Sequence, residues 1–355
     1  MNASRGEARL KIIKFTSSIV AGLGSIKHLD EALESQNIPK RVAIVCGNTT
    51  YLIAGRDAYD VLNSTGYDVS LIVREFRATL GDSEALVDEL KQKRVQAIVG
   101  VGGGTIIDIS KYAANKLGIP LVSVPTTLSS DAIATGYSVL WQKGLKQAIP
   151  TSFPALVIGD YDILSKQPPR FISAGIGDML SKITALPDWR LGFWLAGEKY
   201  NDFAAKLAAY EVELLISRLD DIAKKNYIGI ETLFLAEVFD GYLMQIAGTT
   251  RVAAGSEHLF CFAMEQLSDK GLHGEYCALG SIIMEYLQVG ERGRVRQLLE
   301  RVGAPTSASE LGIDKSVVVK ALTMAHKMRN WYTVLGTVGL SEASAERLAR
   351  YARVV

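Results

Sequence analysis

The chain has 355 residues, of which 48% are hydrophobic and 22% charged, and its formal net charge is +1. That length exceeds what one compact core usually holds, so two domains are expected. The near-neutral balance offers no basic surplus for nucleic acid or an anionic membrane surface. No apolar run reaches membrane-spanning length, and the opening "MNASRGEARLKIIKF" lacks the apolar region of a signal peptide. The three cysteines, Cys46, Cys261 and Cys277, form no CxxC pair. An odd count argues against a disulfide framework and for a reducing cytoplasm.

Taken in chain order, the first half alternates strand-like and helix-like segments. "RVAIVCG" reads as a buried parallel strand, "TTYLIAGRDAYDVLNSTG" as a helix stopped at Gly66, and "YDVSLIV" as the next strand. "DSEALVDELKQKR" predicts a helix, "VQAIVGV" a strand, "TIIDISKYAANKLG" a helix ending at Gly118, and "IPLVSVPTT" a strand. "ALVIGDYDIL" reads as the last strand. Repeated strand–helix–strand units imply a parallel sheet with helices on both faces. From about Pro168 the apolar residues recur at helical spacing and strand alternation is absent. The expected architecture is an α/β N-terminal domain with a parallel, Rossmann-like sheet over residues 1–165. An all-α C-terminal domain follows over 166–355, the boundary falling between 160 and 170.

"AIVGVGGGTIIDISK" places Gly102, Gly103 and Gly104 between a strand and a helix. Glycine admits close backbone approach there, and the free N–H groups of a helix start favour a phosphate. The string departs from GxGxxG, because Thr105 stands at the sixth position, so a tight turn without ligand is an equal reading. Asp108 is expected in the first helical turn, offsetting the helix dipole. The loops "CGNTT" and "PTTLSSDAIATG" belong at the same carboxyl edge, where open parallel sheets bind ligands. Thr126, Thr127, Ser129 and Asp131 supply hydroxyls and one carboxylate there.

Two of the four histidines, His258 and His273, fall in "GSEHLFCFAMEQLSDKGLHGEYCALG". Two antiparallel helices joined by "SDKGL" would bring them together. "AGIGDMLSK" adds Asp178 in an apolar setting, where a lone carboxylate is costly unless paired or metal-bound. Two imidazoles and a carboxylate suit a divalent ion such as zinc with a fourth position open, yet a single histidine on an apolar helix is more often a satisfied core residue than a ligand. Glu257 and Glu275 would orient ligands or cap helices. His28 and His326, in charged surroundings, are expected at the surface.

The segments "VGVGGGTIIDISKYAANKLGIPLVSVPTT", "SSDAIAT", "GIGDMLSKITALPDWRLG" and "GSEHLF…LHGEYCALG" run in the order found in one family. The chain resembles the sn-glycerol-1-phosphate dehydrogenases, within the wider glycerol dehydrogenase, iron-containing alcohol dehydrogenase and dehydroquinate synthase superfamily. The resemblance implies a dehydroquinate synthase-like fold with a cleft between its two domains. It implies Asp178, His258 and His273 as metal ligands, with Zn2+, Fe2+ or Ni2+ as the ion. It places Gly102, Gly103 and Gly104 over the pyrophosphate of NAD or NADP, Thr126, Thr127 and Ser129 along the cofactor, and Gly47 and Thr49 near its adenosine end. Asp131 matches a substrate-contacting carboxylate.

Three positions depart from the family pattern. Ser130 stands where a histidine is common, Tyr137 where an arginine is usual, and Lys182 where an asparagine is frequent. Loss of the arginine removes a bidentate phosphate donor, for which Lys182 is expected to compensate in part. The implied activity is a metal-dependent NAD(P)(H) oxidoreductase interconverting sn-glycerol 1-phosphate and dihydroxyacetone phosphate. The alternatives are a dehydrogenase of a larger or unphosphorylated polyol, a sugar-phosphate cyclase drawing on Lys143 and Lys146, and a binding protein that has lost the reaction. A small-molecule substrate is the expected partner, and exposed faces of a helical domain also admit a homo-oligomer.

Overall fold

The structure, a computed structural model, describes residues 13, 15, 16, 18–288 and 292–355, so most of "MNASRGEARLKIIKF" lies outside the described residues. The chain runs through β1 (Ser18–Gly22), α1 (Leu29–Ser35), β2 (Arg41–Cys46), α2 (Asn48–Thr50) and α3 (Arg56–Ser64). Next come β3 (Asp68–Val73), α4 (Leu80–Gln92), β4 (Ala97–Gly102), α5 (Gly104–Leu117) and β5 (Leu121–Pro125). A hairpin, β6 (Tyr137–Gln142) and β7 (Leu145–Pro150), precedes β8 (Leu156–Asp160) and α6 (Tyr161–Leu164). Six strands form one parallel sheet in the order β1-β8-β5-β4-β2-β3.

The strand period of two sorts the sheet's side chains onto two cores. Val42, Ile44, Val99, Val101, Val122 and Val124 join Leu29, Leu33, Ala58 and Leu62 of α1 and α3. Ala43, Val45 and Ile98 join Leu86, Leu90, Ile106 and Ile109 of α4 and α5 on the other face. Burial on both faces is why these strands read as continuous apolar runs.

From Pro169 onward the described residues hold helices and no strands. They are α7 (Pro169–Leu180), α8 (Lys182–Ala196), α9 (Asp202–Ser217), α10 (Leu219–Ala223), α11 (Tyr227–Ala247), α12 (Ser256–Leu267) and α13 (His273–Glu285). α14 (Arg294–Arg301), α15 (Lys315–Met324) and α16 (Glu342–Tyr351) complete the chain. The α/β half followed by an all-α half agrees with the sequence reading.

Four local features differ from it. β1 and the β6–β7 hairpin were not expected. The hairpin turns on Lys143 and Gly144, both at positive φ (52° and 77°), as a two-residue turn matching strand twist requires. The helix after β2 contains a π turn over Tyr51–Gly55. The last sheet strand stops at Asp160, because its carboxylate accepts hydrogen bonds from the N–H groups of Asp162, Ile163 and Ile26.

One packing contact governs where the later chemistry sits. α7 and α13 meet backbone to backbone. A Cβ on Gly274 would come within 1.8 Å of the Ala174 carbonyl oxygen, and one on Gly177 within 2.3 Å of the Gly274 carbonyl oxygen. Gly274→Ala should therefore force the helices apart and cost at least about 1–3 kcal/mol, the usual range for overpacking. A urea titration checks this: the midpoint falls at unchanged slope, and an unshifted midpoint would refute the close approach.

Candidate metal centre and cleft

Asp178 lies in the last turn of α7, His258 in the first turn of α12, and His273 opens α13. The α12–α13 hairpin turns the two imidazoles toward each other, with ring centroids 5.3 Å apart. His258 Nε2 is 3.4 Å and His273 Nε2 3.9 Å from the same Asp178 Oδ1. One ligand atom from each of the three, together with one from Cys277, falls within 4.8 Å of the others. The opposite ring nitrogens are held by carboxylates: His258 Nδ1 is 2.9 Å from Glu257 Oε1, and His273 Nδ1 is 3.0 Å from Glu265 Oε1. A carboxylate on Nδ1 fixes ring orientation and leaves Nε2 free to bind an ion.

The electrostatics fit a divalent cation. Burial pulls the His258 pKa down, but hydrogen bonds to Asp178 and Glu257 outweigh it and raise the value from 6.5 to about 10. Burial likewise opposes His273, which Cys261 and Glu265 hold well above its ordinary value. Burial raises Asp131 to about 7, aided by the charges of Asp178 and Asp240. Glu237 is pushed well up by burial and by the charges of Asp178 and Asp131; neither of its oxygens has a hydrogen-bond partner. Glu265 Oε2 and Asp240 Oδ1 are also unpartnered. Such an acid surplus in a low-dielectric interior collects protons or a cation. The Asp–His–His donor set, with nitrogen and oxygen atoms, suits zinc, and iron or nickel also accept it.

A cleft of about 1110 Å³ runs from the carboxyl edge of the sheet to His273. It passes the gap between β2 and β4, where the strand order reverses, the position at which open parallel sheets bind ligands. Gly47, Thr49, Gly103, Gly104, Thr126, Thr127, Ser129 and Asp131 all line it. Gly102 lies beneath, as the last residue of β4. A Cβ there would meet Ile106 at 2.6 Å, so close packing favours glycine at 102, whereas one on Gly103 would meet only the end of the Thr127 side chain, Oγ1 at 2.9 Å. Gly104 has only ordinary contacts and faces the cleft at the start of α5, where amide N–H groups favour an anion. Of the Asp–His–His set only His273 borders the cleft, its side chain 26% exposed; Asp178 and His258 lie buried behind it.

Several expectations need correction. Lys182 does not reach the cleft. It is fully buried, with Nζ 3.2 Å from Glu211 and 3.1 Å from Asp240, because two buried carboxylates require a counter-charge. Tyr137 begins β6 outside the cleft lining, and its carbonyl accepts a hydrogen bond from Lys111. Asp108 stands in the second turn of α5, not the first, and pairs with Lys111 at 3.1 Å. His28 is exposed as expected, whereas His326 is half-buried with its ring against Gly339. Glu257 orients His258, while Glu275 caps α13, accepting from Leu272 N–H and from Arg170. Glu265 was missed, although His258, Cys261 and Glu265 repeat at helical spacing on one face of α12. The three cysteines are free, as expected.

The iron-containing alcohol dehydrogenase family model matches residues 20–168. The glycerol-1-phosphate dehydrogenase [NAD(P)+] of Thermococcus kodakarensis is 36% identical over 98% of this chain and 100% of its own. That of Hyperthermus butylicus is 39% identical over 97% and 99%. The chain belongs to the glycerol-1-phosphate dehydrogenase family. A solved probable glycerol dehydrogenase from Sinorhizobium meliloti superposes with a TM-score of 0.79 at 18% identity, covering 97% of this chain and 99% of that one. NADH-dependent butanol dehydrogenase A from Thermotoga maritima gives 0.75 at 17%, covering 97% and 98%. At such identities these two show the shared fold of this family and its neighbours, in agreement with the dehydroquinate synthase-like architecture.

For this family member, elemental analysis of the purified protein should find one divalent ion per chain, and none in Asp178→Asn or His258→Ala. Glu265→Gln should weaken metal affinity about 10–100-fold by removing the carboxylate that orients His273. Zinc affinity should also rise with pH. Below its raised pKa of about 10, His258 carries a proton that zinc must displace. The stability that this raised pKa gives the metal-free protein is complete below the ordinary 6.5 and lost as pH climbs toward about 10. The rise in melting temperature on adding zinc should therefore grow from pH 6 to pH 9; a gain that shrinks with pH would contradict the assignment.

Proposed function

We propose that this chain is a metal- and NAD(P)(H)-dependent dehydrogenase interconverting sn-glycerol 1-phosphate and dihydroxyacetone phosphate. The observation that carries the reading is the convergence of Asp178, His258 and His273, which opens at His273 into a cleft bordered by the glycine turn. Relatives of this name that match along nearly the whole chain support the substrate. When bound, the ion polarises the substrate's carbon–oxygen group and the dinucleotide carries the hydride.

The chain's own residues do the rest. Asp178, His258 and His273 hold the ion, with Glu257 and Glu265 fixing the imidazoles. Gly103 and Gly104 present the amide groups at the start of α5 to the dinucleotide pyrophosphate, Gly102 shapes the turn below, and Thr126, Thr127 and Ser129 flank the cofactor. Gly47 and Thr49 serve the adenosine end. Asp131 orients a substrate hydroxyl, and its pKa near 7 lets it accept or share that proton at neutral pH.

We place the domain boundary at residues 165/166, after α6. No described helix is long and apolar enough to cross a membrane; free cysteines support a cytoplasmic enzyme. The exposed Phe203, Tyr210 and Leu214 of α9 support a homo-oligomer.

Purified protein given zinc, dihydroxyacetone phosphate and NADH or NADPH should oxidise the reduced cofactor, and chelation should abolish the activity. Asp131→Asn should lower kcat/KM about tenfold to a hundredfold by weakening a charge-assisted hydrogen bond. Full activity after exhaustive chelation, with no metal detected, would falsify the reading.

A further inference from the structure

With Lys182 sealed in the helical core, the substrate phosphate needs another cation. Among the described residues, three lysines and no arginine line the cleft: Lys27, Lys146 and Lys166. Lys27 and Lys166 are exposed, on the segments that follow β1 and β8. Lys146 differs. It lies on β7, its side chain is only 23% exposed, and its Nζ is 2.6 Å from Glu265 Oε1. The same oxygen is 3.0 Å from His273 Nδ1, so the ammonium is one carboxylate away from the imidazole cluster.

The surroundings fix Lys146 in place. Arg329 donates from Nη2 to the Lys146 carbonyl at 3.0 Å, and its guanidinium stands 4.6 Å from the centre of the Phe262 ring. Phe262 in turn packs near both His258 and His273. Arg329 makes no ion pair among the described residues. Arg329 thus adds a second cation close to the Lys146–Glu265 pair, and Lys146 also feels the charge of Asp108 on α5. Burial alone would lower the Lys146 pKa; Glu265 outweighs it, so the ammonium stays charged.

We propose that Lys146 is the phosphate-binding residue for the substrate. An ammonium has three donors, and Glu265 takes one. The remaining two face the cleft and bind phosphate oxygens, with Arg329 supplying further positive potential from behind. The assignment rests on the phosphorylated substrate of the proposed function. The same chemistry would suit a phosphate of the dinucleotide; the link through Glu265 to His273 favours the substrate.

The test compares dihydroxyacetone phosphate with dihydroxyacetone in the wild-type protein, Lys146→Met and Lys146→Arg, each zinc-loaded. Lys146→Met should lower kcat/KM for the phosphorylated ketone about a hundredfold more than for the plain one, the scale of one lost charge-assisted hydrogen-bonding group. Lys146→Arg should restore most of that preference. Inorganic phosphate should compete with the phosphorylated ketone in the wild-type protein and lose potency in Lys146→Met. Lys146→Gln serves in its place if the Met variant does not fold. Equal losses on both ketones would mean that Lys146 acts only through Glu265 and His273, overturning the assignment. So would a raised KM for the dinucleotide at unchanged ketone preference. A wild-type protein that reduces plain ketones but no phosphorylated one overturns the substrate reading itself, and Lys146 with it.

Discussion

The direct packing of α7 on α13 is the constraint on which the candidate site depends. Asp178 and His273 belong to segments nearly a hundred residues apart in sequence. They share an oxygen–nitrogen neighbourhood only because Gly177 and Gly274 remove the side chains that would separate the two helices. Gly175 makes a similar approach to the Leu128 carbonyl in the loop after β5. The short stretch "AGIGD" therefore ties three pieces together: the carboxylate, the imidazole hairpin and the loop that carries Ser129 and Asp131. Backbone contact of this kind has little freedom to relax, which suits a site whose donor atoms must converge within a few ångströms.

Convergence creates an electrostatic difficulty that the protein resolves unevenly. Asp131, Asp178, Glu211, Glu237, Asp240, Glu257 and Glu265 are largely withdrawn from water in one region. Lys182 offsets Glu211 and Asp240, while Lys146 and His273 offset Glu265. Burial still raises the pKa values of Glu237, Asp131, Glu211 and Asp240, although Lys182 opposes the rise at each. A divalent ion at Asp178 would favour ionised carboxylates around it and make a structurally strained charge balance a functional one. The unpaired acids are thus better understood as part of an ion site than as defects of packing.

Legibility in the sequence followed how local each signal was. The parallel strands were readable because burial on both faces writes a continuous β-branched run, and the helices because their apolar period is sustained. β1, with its "SIVAG", is too short to show a period, and the Lys-Gly turn of the hairpin lacks the Asn-Gly or Asp-Gly signature. Within the site, Asp178, His258 and His273 were visible as unusual residues in apolar surroundings, with the family resemblance joining them. Glu265 carried a local signal, its helical spacing from His258, that went unused. Lys146 was singled out only with Lys143, as a cation for a sugar-phosphate cyclase; its place beside Glu265 appears only when the hairpin folds across to α12.

Lys182 shows why charge near a motif is a poor guide to charge in a site. It follows Asp178 by four residues, so one helical turn separates them, and the sequence places a cation where a phosphate partner was wanted. Its long stem carries the ammonium inward to Glu211 and Asp240 instead. Its field is still felt at the cleft, since it lowers the pKa values of both Asp131 and Asp178 against the burial that raises them. An interior cation can therefore tune the acids that face a ligand without touching the ligand. The residue that touches must instead come from an element bordering both the cleft and the imidazoles, and β7 is such an element.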